Sequence, residues 1–394
     1  MSLKRQVEEI ISEKLRDNDD DAFFVLDVEN LVRQHLNWIE KIPRVKPFYA
    51  VKCNDSEIVL KILATLGAGF DCASKGEIEK VLKLGVPPEK IVLAHTAKQI
   101  SLIEYAKRVG VLRLTFDCQD ELNKIQKHYP EAELVLRIRY DAKTSLISFG
   151  RKFGCDPTTE AEELIEACKK LRMNLIGISF HVGSFQNEKE IIQNALRTVR
   201  DLFDFASLKG IDMHFVDIGG GFVGNDAKLM EIFSEDINEG VKRFFAGNKY
   251  EIIAEPGRYF VSSAFTLVCN VVTKKIRSDS PREKTQFEYF LNDGIFGSFL
   301  GKLLGKALNK QVFEPLTSIN DTTLYSTTVW GQTLDIIDKL GDQIMLPELE
   351  TGDWLLIRNM GSYTYSAFVG FNGFEKRKVY PIALNKNFIY SPRT

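Results

Sequence analysis

The sequence predicts an α/β fold with a (β/α)8 TIM-type barrel followed by a C-terminal all-β domain. Short β-rich runs alternate with amphipathic helical stretches between about residues 46 and 256. Eight such β/α units over roughly 210 residues match the count and length of a (β/α)8 barrel. After residue 260 the strands continue with little helix between them, which indicates an all-β domain. A doubly wound open sheet would use similar units, but it seldom needs eight.

The eight runs are apolar or rich in β-branched residues, and each is short enough for a barrel strand. They are Phe48–Lys52, Phe70–Ala73, Ile91–His95, Leu112–Phe116, Leu134–Arg139, Leu175–His181, His214–Ile218 and Glu251–Ala254. The stretches between them, such as SEIVLKILATLG, KGEIEKVLKLG and QISLIEYAKRVG, place apolar residues three and four positions apart. Many of them end at glycine, the usual helix stop.

We expect the barrel at residues 28–265 and the β-domain at residues 1–27 together with 266–394. The segment FFVLDV is expected to add a strand or helix to the β-domain. The other strands of this domain are predicted in SAFTLVCNVVTKKI, QFEYFLND, TLYSTTVWG, DWLLIRN, YTYSAFVGFNGF and KVYPIAL. Residues 301–312 have the pattern of a helix or a loop.

Composition restricts the function. The 52 basic and 54 acidic residues give a formal net charge of −2, so the chain as a whole has no attraction for nucleic acid or an anionic membrane. No stretch approaches the roughly 20 apolar residues of a membrane helix, and the start has no apolar leader, so we expect a cytoplasmic protein. The six cysteines have no metal-ligand spacing, so we expect free thiols and no metal. The chain ends soon after the last predicted strand, so we expect no degradation signal there.

Active sites of such barrels lie at the carboxyl ends of the strands. The first predicted strand ends at Lys52 in YAVKC, where apolar flanks would desolvate the amine and lower its pKa. Such a lysine can form a Schiff base with a carbonyl cofactor. A lysine that simply leaves the barrel mouth for solvent fits the same pattern.

Other strand ends also carry polar residues. Asp71 lies in FDCAS with Glu77 in the next helix, and Arg137 lies in LRIRY. His181 and Ser184 lie in SFHVGS. A lone histidine is more often structural than catalytic, but the position of His181 at a strand end beside a glycine and a serine leaves both readings open.

The last two strands run into glycine-rich loops. The triplet in DIGGGF would let backbone N–H groups approach an anion, and AEPGRYF places Gly257 and Arg258 after the eighth strand. Barrels frequently bind phosphate with these two loops. A lysine, a phosphate cradle, a strand-end Glu255 and a strand-end histidine are what pyridoxal 5'-phosphate (PLP) needs. Glu255 would pair with the pyridine nitrogen, so that the ring acts as an electron sink.

The motifs YAVKC, FDCAS, SFHVGS, DIGGGF, AEPGR, NDGIFGSF, NMGSYT and FNGF resemble the eukaryotic ornithine decarboxylases, of the alanine-racemase-like fold group. The resemblance covers about residues 20–385. It implies a PLP-binding barrel, a C-terminal β-domain and a head-to-tail homodimer whose active sites take residues from both chains.

The resemblance also implies a role for each matching residue. Lys52 would be the Schiff-base lysine, Glu255 the pyridinium partner and His181 the residue stacked on the ring. The other cofactor contacts implied are Asp71, Arg137, Ser184, Gly219, Gly220, Gly221, Gly257, Arg258 and Tyr363, with Glu77 close by.

Substrate and dimer residues follow in the same way. Asp335 matches the aspartate that reaches across the dimer to the distal amine of the substrate, and its place in the motif favours this role over a mere turn cap. Phe371 matches an aromatic residue of the same pocket. Lys152 and Asp338 match an inter-subunit salt bridge, and both would equally be ordinary surface charges.

Two departures from the family pattern concern the substrate. The family has GPTCD where this chain has GQTLD, so Leu334 stands in place of a thiol that helps place the substrate carboxylate and steers reprotonation. A Tyr-Asp pair of the family aligns with Leu304 and Gly305 here, which removes a second carboxylate for the distal amine. The cofactor residues are complete.

The resulting expectation is PLP-dependent decarboxylation of a basic amino acid, most simply L-ornithine to putrescine and CO2 in polyamine biosynthesis. Lysine and arginine remain open because the distal-amine site has changed. A weak or inactive homologue that acts by binding, like the antizyme inhibitors, is the alternative from another class, and racemisation is a third. The segment 100–124 is not strongly basic, so antizyme binding is doubtful.

Overall fold

The computed structural model describes residues 2–277, 286–304, 312–317 and 323–383. The chain divides into two compact units, one of residues 1–31 with 261–394 and one of residues 32–260. These boundaries differ from the expected ones by four residues at the first crossing (28 against 32) and by five at the second (265 against 260).

The unit of residues 32–260 is a closed parallel barrel of eight strands in chain order, which confirms the predicted fold. The chain begins with α1 (Leu3–Arg16) and β1 (Phe23–Asp27), which belong to the other unit. The helices and strands that follow, up to the last helix of the barrel, are α2 (Val28–Lys41), β2 (Lys46–Ala50), α3 (Glu57–Thr65), β3 (Gly69–Cys72), α4 (Lys75–Lys83), β4 (Ile91–Leu93), α5 (Ile100–Val109), β5 (Arg113–Phe116), α6 (Gln119–His128), β6 (Glu133–Arg137), α7 (Ala161–Lys170), β7 (Asn174–Ser179), α8 (Ile191–Leu208), β8 (Phe215–Asp217), α9 (Ala227–Phe244), β9 (Glu251–Ala254) and α10 (Arg258–Val261). The barrel closes where β9 pairs with β2.

An apolar layer fills the barrel interior. Six buried side chains from six strands pack together there: Phe48, Val92, Val135, Ile176, Phe215 and Ile253. Side chains alternate along a strand, so the residue two positions further on points the same way. The next layer towards the carboxyl ends of the strands is therefore the floor of the barrel mouth.

The helices follow the local signals of the sequence. Ser74 caps α4 by accepting the N–H of Glu77, and Asp226 caps α9 by accepting the N–H of Leu229. Gly110 ends α5 in the left-handed conformation, at φ 80°. No helix of the described ranges is long and apolar enough to cross a membrane.

The other unit is built on a mixed sheet, as expected for the β-domain. Its further strands are β10 (Phe265–Arg277), β11 (Gln286–Leu291), β12 (Phe313–Pro315), β13 (Tyr325–Trp330), β14 (Lys339–Leu346), β15 (Trp354–Arg358) and β16 (Lys378–Ile382). The order is β12-β15-β10-β11-β13-β14, and β1 pairs with β10 and β16. The segment FFVLDV therefore adds a strand to this sheet.

Three predictions for this unit need correction or completion. The segment YTYSAFVGFNGF is not a strand but contains 3-10 turns at Tyr365–Ala367 and Phe371–Gly373. Tyr363 and Asn372 have φ of 55° and 56°, which an extended chain does not allow. Strands β12 and β14 were not predicted. Of residues 301–312, those up to residue 304 belong to a 3-10 turn, and 305–311 lie outside the described residues.

Candidate active site

Lys52 lies just beyond the first barrel strand rather than at its end. Strand β2 stops at Ala50, and Val51–Cys53 form a 3-10 turn. In this turn the Lys52 amine is paired with the Asp71 carboxylate, which is fully buried at the end of β3. The side chain of Lys52 is 43% exposed, so the amine is open to a small molecule as well as fixed by an acid.

Three ionisable residues form the floor of the barrel mouth. Arg137, Asp217 and Glu255 each lie two residues beyond a member of the interior apolar layer. Asp217 is 1% exposed and Glu255 is 9% exposed, and their carboxyl groups hydrogen-bond to each other. Burial, together with the negative charges of the neighbouring acids, raises the pKa of Glu255 well above its usual range. Burial likewise raises the pKa of Asp217 to about 7.

His181 is held as a neutral imidazole. Its Nδ1 accepts the N–H of Gly183 at 2.9 Å, and its ring meets Phe149 edge-on at 4.7 Å between ring centroids. Burial, followed by the charges of Arg137 and Lys52, lowers the pKa of His181 to about 3. A neutral ring bonded through Nδ1 carries its proton on Nε2 and offers a flat face for stacking.

The glycine loop approaches its neighbours too closely for any side chain. Gly219 has φ 66°, and a Cβ atom there would lie 2.3 Å from the Phe180 carbonyl oxygen. Gly221 has φ 98°, and its Cβ would lie 2.2 Å from the Gly183 carbonyl oxygen. Gly220 packs over Glu255, whose carbonyl oxygen would lie 2.7 Å from an added Cβ. The loop is thus fixed beside the two residues that resemblance assigns to the cofactor ring.

Other predicted cofactor residues lie around the same mouth. Arg258 begins α10 and lies over the Phe185 ring, with 4.7 Å between guanidinium carbon and ring centroid. The backbone of Ser184 bridges to Ile147. A Cβ on Gly257 would lie 2.8 Å from the Cys53 side chain. The phosphate-binding roles of these residues stay predictions.

The mouth has the donor set that PLP requires. An amine lies beside an acid, a glycine loop offers backbone N–H groups, and a buried carboxyl pair lies at the floor. Within the described residues, Asp71 Oδ1 and Ser179 Oγ are buried polar atoms without a hydrogen-bond partner. Unsatisfied buried polar atoms are costly, so their position at the barrel mouth fits a site made for a polar ligand.

The remaining predicted residues lie in the β-unit. Leu334 is 93% exposed, and its N–H donates to Asn372 Oδ1 at 3.1 Å. Asp335 Oδ1 accepts the N–H of Ile337 at 3.0 Å, so the turn-capping contact is present. Phe371 packs on Phe296, with 4.6 Å between ring centroids. Tyr363 is partly exposed, and Gly305 lies outside the described residues.

Asp338 is not an ordinary surface charge, because it is only 1% exposed. Its Oδ1 accepts the N–H of Ile295 at 2.6 Å, and its Oδ2 accepts the N–H and hydroxyl of Thr333 at 2.9 and 2.7 Å. Asp338 therefore anchors the loop that carries Leu334 and Asp335. The inter-subunit pair of Asp338 with Lys152 stays a prediction.

Comparison with known proteins decides the family. The family model of the pyridoxal binding domain of pyridoxal-dependent decarboxylases matches residues 28–262. The chain belongs to the pyridoxal-dependent decarboxylases. It is 44% identical over 383 residues to antizyme inhibitor 2 of Xenopus laevis (95% of this chain, 84% of that protein) and 42% identical over 382 residues to ornithine decarboxylase of Mus musculus (94% and 82%). The Paramecium bursaria Chlorella virus arginine decarboxylase superposes with a TM-score of 0.90 at 34% identity (96% and 100%).

The cofactor of this decarboxylase is PLP, as the sequence predicted, and the chain is a PLP-dependent carboxy-lyase. Bound PLP supplies an electron sink for the pair left when a C–C bond to the carboxylate breaks. The residues that fit it are the Lys52 amine for its aldehyde, the glycine loop for its phosphate and Glu255 for its ring nitrogen.

Asp217 is the site residue that the sequence analysis missed. Its motif DIGGGF was interpreted only for its glycines. The available signal was strand alternation, because Asp217 lies two residues after Phe215 in β8. An acid in an otherwise apolar barrel strand points into the mouth or is buried at a cost.

Proposed function

We propose that this decarboxylase acts on a basic amino acid and converts L-ornithine to putrescine and CO2. The observation that carries the proposal is the complete set of Lys52, Asp71, His181 and Glu255 at one barrel mouth, in a chain 42% identical to mouse ornithine decarboxylase.

The residues of the mouth have separable tasks in this proposal. The Lys52 amine, held by Asp71, forms the covalent bond to the cofactor. Glu255 holds a proton on the ring nitrogen, which makes the ring a better electron acceptor. His181, neutral at every physiological pH, covers one face of the ring without adding a charge.

The distal amine of the substrate is assigned to the Leu334–Asp335 loop. Asp335 supplies the carboxylate, and we propose that it serves the active site of a second copy in a homodimer. A charge-assisted hydrogen bond is worth about 1.5–3 kcal/mol, so one acid in place of two costs roughly tenfold to a hundredfold in affinity. Lysine and arginine are the competing substrates, since they differ from ornithine only beyond the reacting carbon.

The test measures CO2 and diamine together from carboxyl-labelled L-ornithine with PLP present, and from L-lysine and L-arginine in parallel. We expect CO2 from ornithine at the highest kcat/KM and none with Lys52→Ala. Lys46→Ala is the matched control, because Lys46 begins the same strand and pairs with Glu251 at 2.9 Å. If only lysine or only arginine released CO2, that amino acid would be the substrate in place of ornithine. If none of the three released CO2, the enzymatic proposal would be refuted.

A second candidate function has one observation in its favour. The chain is 44% identical to antizyme inhibitor 2, and Leu334 removes the expected thiol. In this alternative the chain binds a regulatory partner and does not turn over. A chain that binds PLP but releases no CO2 from any basic amino acid would support it.

A further inference from the structure

The floor of the barrel mouth holds more carboxyl groups than are needed to balance the charge of a single cation. Three carboxyl groups face one another there, those of Asp71, Asp217 and Glu255, and the cations that act on them are Lys52 and Arg137. The neutral His181 completes the ionisable groups around the floor. With all acids ionised the cluster carries −3 + 2 = −1 before the cofactor's own charges are added.

The backbone fixes the two deeper acids against each other. Asp217 Oδ1 accepts the N–H of Gly219 at 2.8 Å, which locks the side chain at the start of the glycine loop. The N–H of Glu255 donates to the Gly219 carbonyl oxygen at 2.7 Å, so both acids are tied to one residue. Strands β8 and β9 pair in register just below them. The Asp217 side chain cannot turn away without breaking its bond, and the backbone of Glu255 is held beside it.

Two carboxyl groups that hydrogen-bond in a buried site need a proton between them, because two carboxylates are acceptors only. Like charges at this distance also repel strongly when water is excluded. We propose that Asp217 is a positioning residue that shares one proton with Glu255, so that the two acids together present one negative charge to one ring-nitrogen cation.

The arrangement has a consequence for pH. Burial raises the pKa of Asp217 to about 7 and the pKa of Glu255 well above its usual range, so the pair gives up one proton near neutrality and keeps the shared proton above it. Above neutrality the two acids therefore carry one negative charge between them. Asp217→Asn replaces the shared proton by a permanent amide donor, so that no proton lies between two acids in this variant.

The test is infrared spectroscopy of the PLP-loaded chain without substrate. The C=O stretch of a protonated carboxyl group is separate from that of carboxylates and shifts in D2O. We expect such a band in the wild type, equivalent to one group per chain above neutral pH and to more than one below it. Asp217→Asn and Glu255→Gln should each remove it, because sharing needs both acids.

The matched control is Asp156→Asn. Asp156 also accepts a backbone N–H two residues on, that of Thr158 at 2.9 Å, but its hydrogen bonds lower its pKa to about 2, so it is ionised. This variant should leave the band unchanged. A band that survives Glu255→Gln would assign the proton to Asp217 alone and overturn the proposal, as would the absence of a band in the wild type.

A second readout separates a proton-sharing role from a structural one. The apparent affinity for PLP, followed by absorbance from pH 6 to pH 9, should have a different dependence on pH in the wild type and in Asp217→Asn, after circular dichroism has shown that the variant is folded. Parallel pH curves for the two proteins would refute the proposal. No amino acid is present in either experiment, so its outcome does not depend on which substrate the enzyme uses.

Discussion

Single side chains decide the chemistry at the barrel mouth. The Lys52 amine is paired with Asp71, and the His181 imidazole is neutral because burial lowers its pKa to about 3. Neither property follows from residue type alone, since both residues are ordinarily charged or half-charged near neutral pH. At position 334 the residue type itself matters, because the Leu334 side chain offers no proton where the family has a thiol.

Leu334→Cys should change the products of the reaction. Without a thiol to steer reprotonation, we expect the wild type to release more CO2 than diamine, with an aldehyde as the remaining product and slow loss of activity. Leu334→Cys should bring the ratio of CO2 to diamine to one. Both products are measured from labelled substrate over several half-lives.

Ile336→Cys is the control, because Ile336 is exposed on the same loop. It should leave the product ratio at the wild-type value. Equal amounts of CO2 and diamine from the wild type would contradict the prediction and mean that another group does the work of the thiol.

Loops between the elements hold the site in place. The glycine loop after β8 touches the backbone on either side, and the loop between β13 and β14 is tied down by Asp338. In both cases a short segment without regular structure is made rigid by contacts to residues far away in sequence. Substitutions in these loops should therefore affect binding more than their exposure suggests.

Gly221→Ala should weaken PLP binding by roughly tenfold or more, a loss of about 1.4 kcal/mol. The added Cβ would lie 2.2 Å from the Gly183 carbonyl oxygen, so the loop must move. Gly210→Ala is the matched control, because Gly210 also has positive φ, at 75°, but nothing lies within 4 Å of an added Cβ. The control should lose about 1 kcal/mol of stability and no cofactor affinity. Equal PLP affinity in the two variants would contradict the role of the loop.

Asp338→Ala should destabilise the β-unit by about 1–3 kcal/mol for each backbone N–H that loses its acceptor, those of Ile295 and Thr333. It should also raise KM for the amino acid, because the loop of Asp335 loses its anchor. Denaturant unfolding and steady-state kinetics measure the two effects.

Asp342→Ala is the control from the same hairpin. Asp342 is exposed and bonds Lys339 and Thr328 at the surface, so its loss should change stability by no more than about 0.5 kcal/mol. If the two variants unfold at the same denaturant concentration, the anchoring role of Asp338 is wrong.

At the scale of the whole molecule, the chain contributes two different halves of a proposed site. The barrel unit carries the predicted cofactor residues except Tyr363, and the β-unit carries Tyr363, Asp335 and Phe371. A head-to-tail homodimer with twofold symmetry would bring the barrel of one copy to the β-unit of the other. This arrangement is testable without a structure of the dimer.

Mixing Lys52→Ala with Asp335→Ala chains should restore activity. If each site takes Lys52 from one chain and Asp335 from the other, half of randomly formed dimers are mixed and each has one intact site, so about a quarter of wild-type activity returns. Mixing Lys52→Ala with His181→Ala is the control, because no barrel in that mixture is complete. Absence of recovery in the first mixture would contradict the shared site.

The sequence by itself determined the barrel and most of its mouth, because strand and helix patterns are local and the functional side chains lie at strand ends. Eight strands were predicted in their correct order, and Asp71, Arg137, His181 and Glu255 were identified from short motifs. Local patterns failed where the backbone turned instead of extending, at Lys52 and in residues 363–374.

Only the tertiary structure decided which polar groups meet. The pairing of β8 with β9 brings Asp217 against Glu255, and the fold of the β-unit brings Asp338 to the N–H groups of Ile295 and Thr333. The contacts of Asp217 with Glu255 and of Asp338 with Ile295 join residues 38 and 43 positions apart, which no local period encodes. Burial then sets the charge of each group, since desolvation acts only once the surrounding chain has excluded water.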